Sequence, residues 1–132
     1  MRLFVIDERQ IRQVVYSLMS NAREAMPGGG VIGISARNET VRAGGKELMK
    51  PGRYVIVSVR DTGVGIPPEN MARIFDPFFT TKEGRSGLSL ASSYSIVRKH
   101  GGYLTATSNT ASGTEFVVHL PVDPSTEPVA EQ

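Results

Sequence analysis

The sequence predicts an α/β two-layer sandwich in which helices cover one face of a β-sheet, and two observations support this fold class. The first is an amphipathic segment over residues 7–26, which is followed by two apolar strands, 31–37 and 54–60. Two adjacent apolar strands after a helix indicate an antiparallel pair with the helix packed on one face. The second is a further helical segment over residues 87–100, which leads into two alternating strands within residues 103–120.

Composition places the chain among single-domain globular proteins. Its 132 residues suffice for one domain with a substantial core. No apolar run approaches the roughly 20 residues of a membrane-spanning helix, and Asp7 and Glu8 come too early for a signal peptide. Cysteine is absent, which excludes disulfides and thiolate metal sites and fits a reducing cytoplasm. The net charge of +2 is too small to indicate nucleic-acid binding.

The domain is expected to span residues 1–122. The remaining residues, 123–132, contain proline and glutamate and few apolar residues, so we expect a disordered tail. Within the domain, Leu3–Ile6 reads as a short strand. Asp7 is suited to the N-cap of the first helix, and Gly28-Gly29-Gly30 is expected to end it. The helix itself is predicted by apolar residues at three- and four-residue spacing: Ile11, Val14, Val15, Leu18, Met19, Ala22 and Ala25.

The later elements follow from glycine, proline and periodicity. Residues 38–53 combine glycine, proline and charges and predict a long hairpin connection. A helix is expected to start at Pro67 and Pro68, because proline suits the first turn. Gly101-Gly102 should terminate the helix of residues 87–100. Strands 103–107 and 114–120 then surround a turn at 109–113.

Asp61-Thr62-Gly63-Val64-Gly65-Ile66 follows the second apolar strand and is the strongest candidate site. A carboxylate only accepts hydrogen bonds, so Asp61 suits an amine donor such as the exocyclic amino group of adenine. Gly63 and Gly65 allow a close approach of backbone to a flat ring. An apolar slot for that ring is predicted from Ile66, Ile74, Phe75 and Leu90. The alternative is that Asp61 belongs to a turn that binds no ligand, and that the four apolar residues only form part of the hydrophobic core.

Two further segments suit the charged end of a nucleotide. Asn21 lies near the edge of the apolar stripe of the first helix, and its amide oxygen is a hard ligand of the kind that Mg²⁺ accepts. Residues 84–89 precede a helix, so their N–H groups are candidates to face phosphates. Lys82 and Arg85 add positive charge nearby. The alternatives are an asparagine bonded to backbone and a solvated loop with two surface cations.

These segments, in this order, resemble the nucleotide boxes of the GHKL family, which contains gyrase, the heat-shock-90 chaperones, sensor histidine kinases and MutL. The likeness covers roughly residues 3–121 and is nearest to the ATP-binding catalytic domain of nitrogen-regulator-like sensor histidine kinases. It rests on an Asn box at Ser20–Met26, a first Gly box at Asp61–Ile66, a phenylalanine box at Ile74–Lys82, a second Gly box at Ser86–Leu90, and the matching segments Lys99–Gly102 and Gly113–Phe116.

The resemblance implies the Bergerat fold, with a mixed sheet, helices on one face and a short ATP lid. It implies that Asn21 holds Mg²⁺, that Asp61 binds the adenine amino group, and that Thr114 joins the water network around adenine. Lys82 and Arg85 are the candidate cations for the phosphates, and no further catalytic residue is assigned. The full expected nucleotide-binding set is Asn21, Asp61, Gly63, Gly65, Ile66, Phe75, Lys82, Ser86, Gly87, Leu88 and Thr114.

The implied function is that of a protein-histidine kinase catalytic domain, which donates the γ-phosphoryl group of ATP. The acceptor histidine would lie on a dimerisation domain of the same parent protein, and a response-regulator receiver domain would be the next partner. His100 and His119 are not credible acceptors, so the isolated domain is expected to bind nucleotide and not to complete phosphotransfer alone. Separately, it is expected to be monomeric. The expected location is cytoplasmic, with membrane attachment of the parent left open.

Three departures from the family pattern keep two alternatives open. Ser17 stands one turn before the expected Mg²⁺ ligand, where the kinases carry a second asparagine and the ATPase relatives a catalytic glutamate. Arg85 and Ser89 replace two glycines of the second Gly box, and the lid between Lys82 and Gly87 is short. The alternatives are a degenerate module that acts through protein contacts, with little or no ATP binding, and a GHKL ATPase, which Ser17 disfavours.

Overall fold

The computed structural model describes residues 7–42, 49–77, 79, 89–109 and 112–122. The elements, in order, are α1 (Glu8–Glu24), β1 (Ile32–Val41), β2 (Gly52–Asp61), a short 3₁₀ helix (Pro68–Arg73), α2 (Ser89–Lys99), β3 (Tyr103–Asn109) and β4 (Gly113–Pro121). Every helix and strand expected within these ranges is present. The predicted strand at residues 3–6, most of the predicted lid and the tail 123–132 lie outside the described residues.

The four strands form one sheet in the order β1-β2-β4-β3. Each neighbouring pair is antiparallel, which confirms the predicted pairing of β1 with β2. Both of these strands are longer than expected, so the connection between them shortens to residues 42–51. Because the segment 3–6 is not described, the mixed character of the sheet stays an expectation.

Helix α1 begins at its predicted N-cap and ends earlier than predicted. The Asp7 carboxylate accepts hydrogen bonds from the backbone N–H groups of Arg9 (3.0 Å) and Gln10 (3.4 Å). The helix ends at Ala25, ahead of the Gly28–Gly30 run that the sequence suggested. The physical reason is Pro27, whose ring disfavours a helical conformation at the residue before it.

A single hydrophobic core joins both helices to one face of the sheet. Helix α1 packs on β2, α2 packs on β3, and the two helices pack on each other. This arrangement confirms the predicted α/β sandwich with its helices on one face. The buried members of the core are Val14, Leu18, Ala22, Val59, Ile74, Ile96, Val97, Leu104, Phe116, Val118 and Leu120.

The C-terminal end of α2 is joined to the start of α1 by His100. The ring Nε2 accepts the N–H of Asp7 at 3.0 Å, and Nδ1 lies 2.8 Å from the carbonyl oxygen of Ile96. Because a carbonyl only accepts, the ring carries its proton on Nδ1. Both ring nitrogens of the buried imidazole are therefore hydrogen-bonded: Nδ1 to the last turn of α2, and Nε2 to the N-cap of α1, which joins the two helices.

The opposite face of the sheet carries a smaller apolar cluster of Val41, Tyr54 and Ile56, together with a polar network. The buried hydroxyl of Ser58 donates to the Glu115 carboxylate at 2.5 Å. This hydrogen bond, followed by the charge of Arg60, holds the pKa of Glu115 below its ordinary value against the opposing effect of burial. No helix in the described ranges is long and apolar enough to cross a membrane.

We expect Ser58→Ala to raise the pKa of Glu115 towards its ordinary value, because the largest cause of the depression is removed. A depressed carboxylate pKa contributes stability above the pKa of the unfolded chain, and this is lost as pH falls through the folded value. The variant should therefore lose less stability on acidification. An NMR titration of the Glu115 carboxyl group measures the shift. Ser35→Ala, at the exposed position that pairs with Ser58 on β1, is the matched control. An unchanged Glu115 pKa in Ser58→Ala would contradict the assignment.

Candidate functional site

The site is centred on Asp61, the last residue of β2, whose side chain is only 1% exposed. Its Oδ1 accepts two backbone hydrogen bonds, from Gly63 at 2.8 Å and from Thr114 at 3.3 Å. In the described part of the chain both bonds end on Oδ1, which leaves Oδ2 available to a further donor. A carboxylate buried in this way is oriented by the backbone and keeps one accepting atom for a ligand.

A hydroxyl pair lies beside this carboxylate. Ser108, near the end of β3, accepts the backbone N–H of Ile66 on its Oγ at 2.6 Å. The same Oγ lies 2.9 Å from Thr114 Oγ1 and 3.3 Å from the carbonyl oxygen of Gly113. Thr114 is 4% exposed, so its hydroxyl is nearly sequestered from water. The pair connects the segment after Asp61 to the β3–β4 hairpin.

Gly63 is required by the contact between this segment and α1. A Cβ at this position would overlap the carbonyl oxygen of Ala25, which in turn accepts the Val64 N–H at 3.2 Å. Gly65 adopts a φ of 74°, in the left-handed region that favours glycine. The sequence interpretation assigned both glycines to a ligand. The structure shows that Gly63 is already needed by the protein itself.

Asn21 lies on α1, one turn before Ala25, and is half-buried. Because Ala25 contacts the 61–66 segment, the turn that carries Asn21 is held about 6 Å from that contact along the helix axis. Its side-chain amide has no hydrogen bond to any described residue. Among the described residues, no group of three His, Cys, Asp or Glu side chains is placed to hold a metal ion.

The four apolar residues predicted to form a slot all belong to the hydrophobic core. Ile74 is buried, and Ile66, Phe75 and Leu90 pack against the core as partly buried residues. The Phe75 ring stacks on Tyr94 at a centroid distance of 5.0 Å and meets Phe116 edge-on at 6.4 Å. Phe75 therefore ties the segment after the 3₁₀ helix to α2. Its contact with a ligand remains a prediction.

One cavity is lined by Asp61 and Thr114, and a second lies along α1, the helix that carries Asn21. One, of 280 Å³, is at the sheet end beside the β3–β4 turn and is lined by Arg60, Asp61, Thr107, Ser108, Asn109, Ser112, Gly113, Thr114 and Glu115. The other, an open groove of 370 Å³, follows the outer side of α1 and is lined, among the described residues, by Arg9, Arg12, Gln13, Tyr16, Ser17 and Ser20. The groove reaches the turn that carries Asn21.

The structure brings Asp61, Gly63, Gly65, Ile66 and Thr114 into one region and sets the Asn21 turn against it. The remaining predicted residues, Lys82, Arg85, Ser86, Gly87 and Leu88, lie outside the described residues and stay predictions. Sequence reasoning missed Ser108. The available signal was the register of the β3–β4 hairpin, which places Ser108 directly opposite Thr114.

Known proteins are similar to this sequence over most of its length. The chain matches the family described as "Histidine kinase-, DNA gyrase B-, and HSP90-like ATPase" over residues 6–124. It is 41% identical over 120 residues to sensor kinase CckA of Brucella abortus, covering 87% of this chain and 13% of that protein. The chain spans between 12% and 25% of the length of the curated relatives that it matches.

Solved structures share the fold. The catalytic domain of histidine kinase ThkA superposes with a TM-score of 0.68 at 33% identity, over 88% of this chain and 68% of that chain. Full-length ShkA, solved in complex with AMPPNP, superposes with a TM-score of 0.70 at 28% identity, over 92% of this chain and 23% of that chain. The chain belongs to the histidine kinase-, DNA gyrase B- and HSP90-like ATPase family, and within it corresponds to the catalytic ATPase domain of sensor histidine kinases.

Proposed function

We propose that this domain binds Mg-ATP and presents the γ-phosphoryl group to a histidine on a dimerisation domain of the same parent protein. The observation that carries the proposal is the buried Asp61 carboxylate, with Oδ1 held by two backbone N–H groups and Oδ2 left to accept. ShkA, to which this chain is similar, was solved in complex with AMPPNP, and this supports nucleotide binding by the present domain. A calorimetric titration of the chain with Mg-ADP and Mg-ATP tests it, and absence of binding would favour a degenerate module.

Asp61 suits adenine when C6 of the base is directed towards the carboxylate. Adenine carries an amino group at C6, which donates, whereas guanine carries a carbonyl oxygen there, which accepts. In this orientation the carboxylate pairs with the amino group of adenine and repels the carbonyl oxygen of guanine. The Thr114 hydroxyl lies beside it and is able to donate to the adjacent ring nitrogen, directly or through a water.

Asn21 suits the proposed metal role because its amide is not committed to another described group. Mg²⁺ prefers oxygen ligands, retains several waters and takes other ligands from substrate phosphates. One amide oxygen from α1 is then enough to position the ion against the phosphate chain. When bound, the ion would neutralise charge on the phosphates.

The transfer step requires little covalent chemistry from the protein. Phosphoryl transfer depends mainly on positioning and on charge neutralisation around the transferred group. Lys82 and Arg85 are the proposed cations, and the N–H groups ahead of α2 are the proposed phosphate donors. Both assignments come from the sequence. At Ser17 a hydroxyl stands where ATPase relatives carry a glutamate, which disfavours hydrolysis as the main reaction.

Neither histidine in the described residues is suited to accept the phosphoryl group. Both ring nitrogens of His100 are already hydrogen-bonded, Nε2 to the N–H of Asp7 and Nδ1 to the carbonyl oxygen of Ile96. His119 Nδ1 lies 3.2 Å from the Tyr103 carbonyl oxygen, and the residue is five positions along β4 from Thr114, or about 17 Å. This supports an acceptor on a separate dimerisation domain, with a response-regulator receiver domain as the next partner. We further propose that the isolated domain is monomeric and that its location is cytoplasmic.

We expect Asp61→Asn to lose most nucleotide binding while the fold survives. The asparagine oxygen is able to keep the two backbone hydrogen bonds, but its NH₂ group then replaces Oδ2 and faces the adenine amino group, donor against donor. The cost is about 1–3 kcal/mol, or roughly 5- to 150-fold in affinity. Calorimetry with ADP measures it, with Glu39→Gln at a half-buried position of β1 as the matched carboxylate-to-amide control. Unchanged ADP affinity would remove Asp61 from the site.

We expect Asn21→Ala to weaken the binding of Mg-ATP more than that of metal-free ATP, because the amide acts through the ion. Titrations with and without Mg²⁺ measure the difference. Asn38→Ala, at an exposed position of β1, is the control for loss of an asparagine. Equal weakening under both conditions would instead assign Asn21 a structural role.

A further inference from the structure

We propose that Ser108 is a positioning residue for the nucleotide base, because it directs the hydroxyl proton of Thr114 towards the ring. The inference rests on the proposed function and adds to it a residue that determines how the base is recognised. It follows from three contacts of one oxygen atom: Ile66 N at 2.6 Å, Thr114 Oγ1 at 2.9 Å and Gly113 O at 3.3 Å.

The Ser108 hydroxyl has one proton and two lone pairs to distribute among these contacts. The Ile66 N–H only donates, so it occupies one lone pair. The Gly113 carbonyl only accepts, and Thr114 Oγ1 is able to do either. The whole arrangement therefore has two hydrogen-bonding states, which differ in the direction of the Ser108–Thr114 bond.

In the first state Ser108 donates to Gly113, and Thr114 donates to Ser108. The Thr114 proton is then turned away from the ligand side, and Thr114 offers a ligand only lone pairs. In the second state Ser108 donates to Thr114 Oγ1, which frees the Thr114 proton for an acceptor on the ligand. The second state keeps the shorter contact of 2.9 Å and gives up the longer one of 3.3 Å.

An acceptor on the ligand selects the second state, because only that state frees the Thr114 proton, whereas the first state keeps all three contacts when no ligand is bound. Within the second state the bond from Ile66 polarises the Ser108 hydroxyl, and Ser108 in turn polarises Thr114, because hydrogen bonds in a chain strengthen one another. The bond from Ile66 is the shortest of the three and is shielded by partial burial. Ile66 closes the segment that starts at Asp61, so the conformation of this segment and the donor state of Thr114 are coupled through Ser108.

The second state presents an acceptor and a donor side by side. Asp61 Oδ2 accepts, and the Thr114 hydroxyl donates. The two residues are joined by the Thr114 N–H to Asp61 Oδ1 bond at 3.3 Å. A 6-aminopurine carries the complementary pair, an amino donor at C6 and an acceptor at N1. Without Ser108 the Thr114 hydroxyl loses the bond that orients and polarises it, so its donation to N1 is weaker.

The test compares ADP with 1-deaza-ADP, in which N1 is replaced by C–H, by calorimetry on the full chain. In the wild type, ADP should bind more tightly than the deaza analogue. Ser108→Ala should lower the affinity for ADP about tenfold and the affinity for the deaza analogue much less, so that the preference for ADP falls. Ser108→Thr, which keeps the hydroxyl and suits a strand, should retain the preference. Ser35→Ala, at an exposed position of β1 outside this cavity, is the matched control for loss of a serine hydroxyl and should leave the binding of both nucleotides unchanged.

Ser108→Cys keeps the volume and offers only a weak donor and acceptor, so it serves if the alanine variant fails to fold. It should show a partial loss of the preference. The inference would be overturned if Ser108→Ala and Ser108→Cys weakened the binding of both nucleotides equally, which would assign Ser108 a structural role, or weakened the binding of neither. If ADP binds and Asp61→Asn weakens its binding, while the Ser108→Ala and Ser108→Cys variants keep the full preference for ADP, only the inference about Ser108 fails. If the wild type binds neither nucleotide, the proposed function and the inference about Ser108 both fail.

Discussion

The constraint on which this structure depends is the satisfaction of one buried carboxylate. Burying an ionised group without partners is costly, so Asp61 needs hydrogen-bond donors at fixed positions. Its two donors come from different parts of the chain, the turn that follows β2 and the start of β4. Gly113 makes the second approach possible, because a side chain there would overlap the Asp61 carbonyl oxygen. The carboxylate thus fixes the end of the central strand, the following turn and the β3–β4 hairpin relative to one another.

That fixed turn also positions the helices. Val64 donates to the end of α1, and the absence of a side chain at Gly63 lets the backbones meet. Beyond the 3₁₀ helix, Phe75 stacks on Tyr94 of α2 and meets Phe116 of β4. His100 then closes the arrangement by joining the end of α2 to the start of α1. The proposed adenine contacts, the proposed metal ligand and the helix that would face the phosphates therefore belong to one packed unit.

The two faces of the sheet are stabilised by different interactions. The helix-covered side holds the main core, including Val59, Phe116 and Val118, and provides most of the buried apolar area. The other side uses Tyr54 and Ile56 for a smaller cluster and Ser58, Arg60 and Glu115 for a polar network. Glu115 and Thr114 are neighbours in β4 and point to opposite faces. The network around Glu115 thus stabilises the same strand end that carries the ligand-side hydroxyl.

The sequence by itself determined the elements and the family, because both depend on residues close together along the chain. Helical spacing of apolar residues predicted α1. Its N-cap at Asp7 depends only on the three residues that follow, and the Asp61–Ile66 motif is six consecutive residues. The tertiary structure decided what those residues contact. Ser108 meets Ile66 across 42 positions, and Gly63 meets the end of α1, where Pro27 and not the following glycines set the boundary. Such contacts depend on how strands pair and helices pack, and no local pattern of residue types encodes the direction of a single hydroxyl.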